Sequence, residues 1–136
     1  MPDREIVILV VEDEPLILLN ALDFIEQEGM VALGAANAVA ALALLEKRPD
    51  IQLMFTDIDL PGAMDGLALA EKVRQRWPQI NIVFTSGHIL DRSVVMPADS
   101  FFVSKPYLDK QVLRLFHSIL NPAQTALSKS PISQRS

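Results

Sequence analysis

Two hydrophobic rhythms alternate along the chain. Ile6 to Val11 is an unbroken apolar run, the pattern of a parallel strand covered on both faces, and it stops at Glu12-Asp13-Glu14. Pro15 suits the first turn of a helix in which Leu16, Leu19, Leu22 and Ile25 recur until Gly29 ends the element. Met30 to Ala35 reads as a second strand, Asn37 as a helix cap, and Ala38 to Lys47 as a small-residue helix stopped before Pro49. Ile51 to Thr56 predicts a third strand. Gly66 to Trp77 predicts a helix whose Leu67, Ala70, Val73 and Trp77 share a face before Pro78.

Ile80 to Thr85 reads as a fourth strand. The segment from Ile89 to Met96, with Pro97 just beyond, predicts only a short or irregular fourth helix. Ser100 to Val103 is a short fifth strand, and Tyr107 to Leu120 a final helix with a stripe at Val112, Leu115, Phe116 and Ile119. Strict strand–helix alternation defines an α/β fold, a doubly wound parallel sheet with helices on both faces, because each right-handed crossover needs a helix to bring the chain back. At 136 residues the chain fits one domain, expected over 4–120. The remainder, 121–136 (NPAQTALSKSPISQRS), is rich in Ser, Pro and Gln and reads as a disordered C-terminal tail, with no output domain appended.

Composition narrows the chemistry. A net charge of -5 and the lack of any Lys/Arg run argue against nucleic acid as a partner. The chain has no cysteine, which excludes disulfides, thiolate catalysis and Cys-based zinc sites; His88 and His117 are too few for a histidine metal cluster. MPDREIVILVVEDE is wrong for a secretory signal, and Gly34 and Asn37 interrupt the Ala-rich run MVALGAANAVAALALL, so no membrane association and a cytoplasmic location are expected.

The stretch MFTDIDLPG ends an apolar run in two carboxylates just before Pro-Gly. A buried strand carries charge only where it emerges. In an open parallel sheet ligands bind beyond the carboxyl ends of the strands, and those ends offer Glu12 and Asp13, then Asp57, Thr85, and Lys105 followed by Pro106. Carboxylates held about 4 Å apart repel by roughly 4 kcal/mol at an effective dielectric near 20. Such a cluster calls for a divalent cation, and oxygen ligands without His or Cys favour Mg²⁺ or Mn²⁺. One carboxylate can then serve as nucleophile toward a phosphoryl group, while Thr85 and Lys105 bind its remaining oxygens.

VVEDE, TDIDLPGAMDG, FTSG and FVSKPY, in this order and spacing, resemble the motifs of response-regulator receiver domains, over about Arg4 to Leu120. The resemblance implies a flavodoxin-like five-stranded sheet of order 2-1-3-4-5, as in single-domain chemotaxis-like receivers. It implies that Asp57 is the phosphoacceptor, that Asp13, Asp57 and the backbone carbonyl of Asp59 hold Mg²⁺, and that Glu12 assists through water. It makes Thr85 the switch hydroxyl, Lys105 the phosphate-pairing lysine and Phe102 the switch aromatic, and it puts a cis peptide before Pro106. The expected function is that of a stand-alone response regulator. It would take phosphate from a histidine kinase or phosphotransfer protein, hydrolyse it slowly and signal to a downstream protein, as a switch and not a turnover enzyme.

Four departures mark this chain. The loop from Asp57 to Asp65-Gly66 is one residue longer than the common pattern, Ser86 stands where a small residue is usual, Gly87 to Ser100 is shorter than usual, and Phe102 replaces a common Tyr. Two rival readings use the same residues. A haloacid-dehalogenase-like phosphatase would use Asp57 and Asp59 as nucleophile and acid–base, but its second acidic pair usually follows that motif, and here the pair precedes it. A receiver that acts only as a docking module is favoured by loss of Asp57 or Lys105, and both are present.

Overall fold

The structure, a computed structural model, describes residues 5–87 and 96–121. Among the described residues strands and helices alternate as far as β4, and β5 and a last helix follow: β1 (Val7–Val11), α1 (Pro15–Gln27), β2 (Val31–Ala35), α2 (Ala38–Lys47), β3 (Ile51–Asp57), α3 (Gly66–Arg76), β4 (Asn81–Ser86), β5 (Ser100–Ser104) and α4 (Asp109–Leu120). All neighbouring strands are parallel, in the order β2-β1-β3-β4-β5, as expected. The helix expected from Ile89, His88 and the tail beyond Asn121 lie outside the described residues. Of the described residues, those up to Pro106 form one compact unit and those of 107–121 a second.

The interior strands β1, β3 and β4 are almost wholly buried, whereas the edge strands β2 and β5 bury one residue each. All five residues of β1 are buried, and Val7, Leu9 and Val11 join Met54, Ile82 and Phe84 in a cluster with Ala38, Ala41 and Leu45 of α2 and Leu69, Ala70 and Val73 of α3. Helix α1 contributes nothing to that cluster. It instead lays Leu18 and Leu22 over Gly34 of β2, where an added Cβ would stand 3.1 Å from Leu22 Cδ1. The small Ala-rich face of α2 and the glycine under α1 let both helices approach the sheet closely.

The stripe expected on α1 is corrected by the packing. Leu16 and Leu19 are exposed, and the inward face is Ala21, Phe24 and Ile25. Steps of three residues fall about 60° short of a full turn each, so a stripe drawn from Leu16 to Ile25 swings halfway round the helix. On α3 the buried residues are Gly66, Leu69, Ala70 and Val73, with Leu67 half-buried; Arg76 lies over the Trp77 ring at 4.5 Å from its centroid. Asn37 caps α2 by accepting from the Ala40 N–H at 2.8 Å, and Asp65 caps α3 by accepting from the Ala68 N–H at 2.9 Å. Helix α4 begins two residues later than expected and buries Val112 and Phe116.

Candidate functional site

Strand register assembles the site. Val11 of β1 pairs with Thr56 of β3, so Glu12 and Asp57 leave the sheet side by side, at the point where strand order reverses. Asp57 pairs with Thr85, and Ser86 pairs with Ser104, which sends Lys105 off the end of β5. The Lys105 N–H donates to the Ser86 carbonyl at 2.9 Å and so extends the ladder by one rung. Pro106 follows a cis peptide, as the resemblance implied.

The side chains converge on one ammonium. Lys105 Nζ lies 2.7 Å from Asp57 Oδ2 and 2.8 Å from Glu12 Oε1. Glu12 and Asp57 are only 3% and 4% exposed, whereas Asp13 is exposed. The second Glu12 oxygen accepts from the Glu14 N–H at 3.1 Å, and Asp57 Oδ1 accepts from the Asp59 N–H at 2.9 Å. Burial pushes the Glu12 carboxyl above its ordinary range, against the opposing pull of Lys105. Burial also opposes the charge on Lys105, but its hydrogen bonds to Asp57 and Glu12 outweigh this and hold it above the usual lysine value. Lys105 therefore stays cationic at neutral pH.

Glu12, Asp13 and Asp57 each offer an oxygen within 4.8 Å of the others. One ammonium against three carboxylates leaves the pocket short of positive charge, and a hard oxygen donor set of this kind fits Mg²⁺ or Mn²⁺. Thr85, which pairs with Asp57 across the sheet, has a buried Oγ1 with no hydrogen-bond partner among the described residues. A buried hydroxyl without a partner is costly, and a donor left open beside Asp57 can bind an oxygen there.

Asp59 is exposed, and its carboxylate turns to the Ser86 hydroxyl, Oγ to Oδ2 3.2 Å, outside the carboxylate group formed by the other three acids. Phe102 is half-buried and packs against the main core cluster. The sequence reading missed the role of Gly66. A Cβ there would lie 2.0 Å from the Asp57 carbonyl oxygen and 2.8 Å from Ile58 Cα, so only glycine lets α3 start against the backbone of the buried aspartate. The Gly66 N–H donates to the Ile58 carbonyl at 2.8 Å and fixes that approach. The signal was the Asp65-Gly66 pair, a cap followed by a residue without a side chain.

The fold and this pocket define a doubly wound α/β protein with an acidic, lysine-closed site at its switch point. The family model for the response regulator receiver domain matches residues 8–116, and the chain belongs to that family. Among curated relatives, the nitrogen assimilation regulatory protein NtrX of Azorhizobium caulinodans is 40% identical over 83 residues, 60% of this chain and 18% of that protein. The sensor protein TorS of Escherichia coli is 27% identical over 95 residues, 70% of this chain and 10% of that one. The chain thus spans less than a fifth of the length of either. Among solved structures, a CheY-like receiver domain protein from Methanospirillum hungatei superposes with a TM-score of 0.81 at 26% identity, covering 90% of this chain and 99% of that one. Among the described residues no helix is long and apolar enough to cross a membrane.

Proposed function

We propose that the chain accepts a phosphoryl group on Asp57 from a phosphohistidine of a histidine kinase or phosphotransfer protein, and passes the signal to another protein in the cytoplasm. The observation that carries this is the Lys105 ammonium shared between Asp57 and Glu12 beside the unpartnered Thr85 hydroxyl. An Asp57 carboxylate oxygen attacks phosphorus, the phosphorus–nitrogen bond of the donor breaks, and the imidazole leaves with the electron pair and takes a proton from solvent. Asp13, Asp57 and the Asp59 backbone, with Glu12 assisting through water, would hold Mg²⁺, which when bound supplies neutralisation of phosphoryl charge.

Lys105 turns from Asp57 to pair with a phosphoryl oxygen, and Thr85 donates its hydroxyl to another. The pull on Thr85 biases a pre-existing equilibrium that Phe102, on the neighbouring strand β5, reports to a partner. Water later releases phosphate and restores the carboxylate.

The test is intact mass after incubation with Mg²⁺ and acetyl phosphate. The parent gains one phosphoryl group and Asp57→Asn gains none; a variant labelled as heavily as the parent refutes the assignment. Asp13→Ala is expected to weaken Mg²⁺ binding strongly and Glu12→Ala less, and equal affinity in all three proteins removes the proposed ligand set. Sustained multiple turnover on varied phosphoesters would replace the switch with a phosphatase.

A further inference from the structure

Strand β3 carries a hydroxyl directly before Asp57. Thr56 is fully buried, paired with Val11 of β1 on one side and Phe84 of β4 on the other. Its Oγ1 donates to the Asp57 carbonyl at 3.0 Å. A buried hydroxyl flanked by apolar residues needs a partner, and this one finds it on the backbone of Asp57. The next N–H, that of Ile58, donates to the Thr85 carbonyl at 2.9 Å, so the peptide unit after Asp57 is gripped at both of its polar ends. Helix α3 gives that carbonyl no side chain to rest against, since a Cβ on Gly66 would stand 2.0 Å from its oxygen. Its direction is therefore left to the hydroxyl.

Resting on the reading of Asp57 as acceptor, we propose that Thr56 is a positioning residue: its hydroxyl, by fixing the Asp57 carbonyl, sets the angle at which the Asp57 carboxylate meets an incoming phosphoryl group. The linkage runs through one bond. Rotation about Cα–C of Asp57 turns the carbonyl and swings the chain beyond it, including the Asp59 N–H that holds Asp57 Oδ1 at 2.9 Å. The other carboxylate oxygen, Oδ2, is held by Lys105 at 2.7 Å. With the carbonyl pinned, these two grips keep a single carboxylate geometry. With it released, the Asp59 N–H drifts and the attacking oxygen is no longer aimed. Successive side chains of a strand point to opposite faces, so Thr56 acts through the backbone and not by contact with the carboxylate.

The experiment compares the parent with Thr56→Val, which keeps the shape and loses the hydroxyl, and Thr56→Ser, which keeps the hydroxyl and loses a buried methyl group. Each is incubated with acetyl phosphate and Mg²⁺, the rate of phosphoryl gain is read by intact mass, and melting temperature is measured in parallel. Thr56→Val is expected to label about tenfold more slowly, equivalent to about 1.4 kcal/mol on the barrier, while Thr56→Ser stays within about twofold of the parent. Stability runs the other way: Thr56→Ser melts about 4 °C below the parent, and Thr56→Val stays closer to it. In the unphosphorylated protein the Asp59 amide resonance moves in Thr56→Val and holds in Thr56→Ser. Labelling rates that follow melting temperature overturn the proposal, as does a Thr56→Ser variant as slow as Thr56→Val. A parent that gains no phosphoryl group overturns the acceptor reading and this inference with it, whereas a labelled parent with an unchanged Thr56→Val sinks this inference alone.

Discussion

Replacing Gly66 by alanine puts a methyl group where the chain has left none. The added Cβ meets the Asp57 carbonyl oxygen at 2.0 Å and the Asp57 carbonyl carbon at 2.9 Å, and both are backbone atoms that no rotamer change can move. Since real Cβ contacts essentially never fall under 3.0 Å, the start of α3 and the end of β3 must separate by about 1 Å. Overpacking of this severity costs up to about 3 kcal/mol, and the better helix propensity of alanine returns about 1, leaving a net loss of about 2 kcal/mol. For a domain of this size that lowers the melting temperature by about 8 °C. Asp57, the proposed acceptor, is displaced with it, and a shift of about 1 Å at a reacting group costs on the order of 100-fold in rate. Thermal unfolding by circular dichroism and labelling with acetyl phosphate measure the two effects. Gly62→Ala is the control: its φ of +96° makes alanine strained, by about 1 kcal/mol, but nothing lies within 4 Å of the new Cβ. If Gly66→Ala keeps both the melting temperature and the labelling rate of the parent, the close approach does not hold.

Three further outcomes concern the pocket and the helix cap beside it. Asp13→Asn removes one of three crowded carboxylates and is expected to stabilise the metal-free protein by about 1 kcal/mol in urea unfolding, a gain that shrinks with added salt because Asp13 is exposed. Mg²⁺ should then stabilise the parent more than the variant; a larger shift in the variant would contradict the ligand set. Thr85→Val replaces an unpartnered buried hydroxyl by a methyl group and should raise the unfolding free energy of the unphosphorylated protein by about 1 kcal/mol, with a loss counting against an orphaned hydroxyl. Asp65→Ala removes the α3 cap and is expected to cost about 1 kcal/mol by chemical denaturation, and no loss would mean that its bond to the Ala68 N–H carries no weight.

The buried strands and their order of appearance were legible because parallel strands covered on both faces read as apolar runs, and Glu12, Asp57, Thr85 and Lys105 stood out because each lies at the end of such a run or within two residues beyond it. Helix faces were read less well. A leucine every three residues on α1 resembles a stripe in sequence yet turns out to solvent at Leu16 and Leu19. Three features of the pocket depend on distances that no spacing encodes: the bare hydroxyl of Thr85, the Ser86–Asp59 hydrogen bond, and the 2.0 Å approach that forbids a side chain at residue 66. The pattern marks which residues reach the mouth, and register decides which of them touch.

Lys105 directly follows β5, one of the two edge strands, which among the described residues has a single neighbouring strand, while the acids it bridges stand at the ends of interior strands. Edge elements open locally more readily than those flanked on both sides. Transient fraying there would withdraw the pocket's cation and leave its carboxylates in place. Amide exchange along Ser100–Ser104 would therefore measure how often the molecule idles without its positive partner, long before global unfolding sets in.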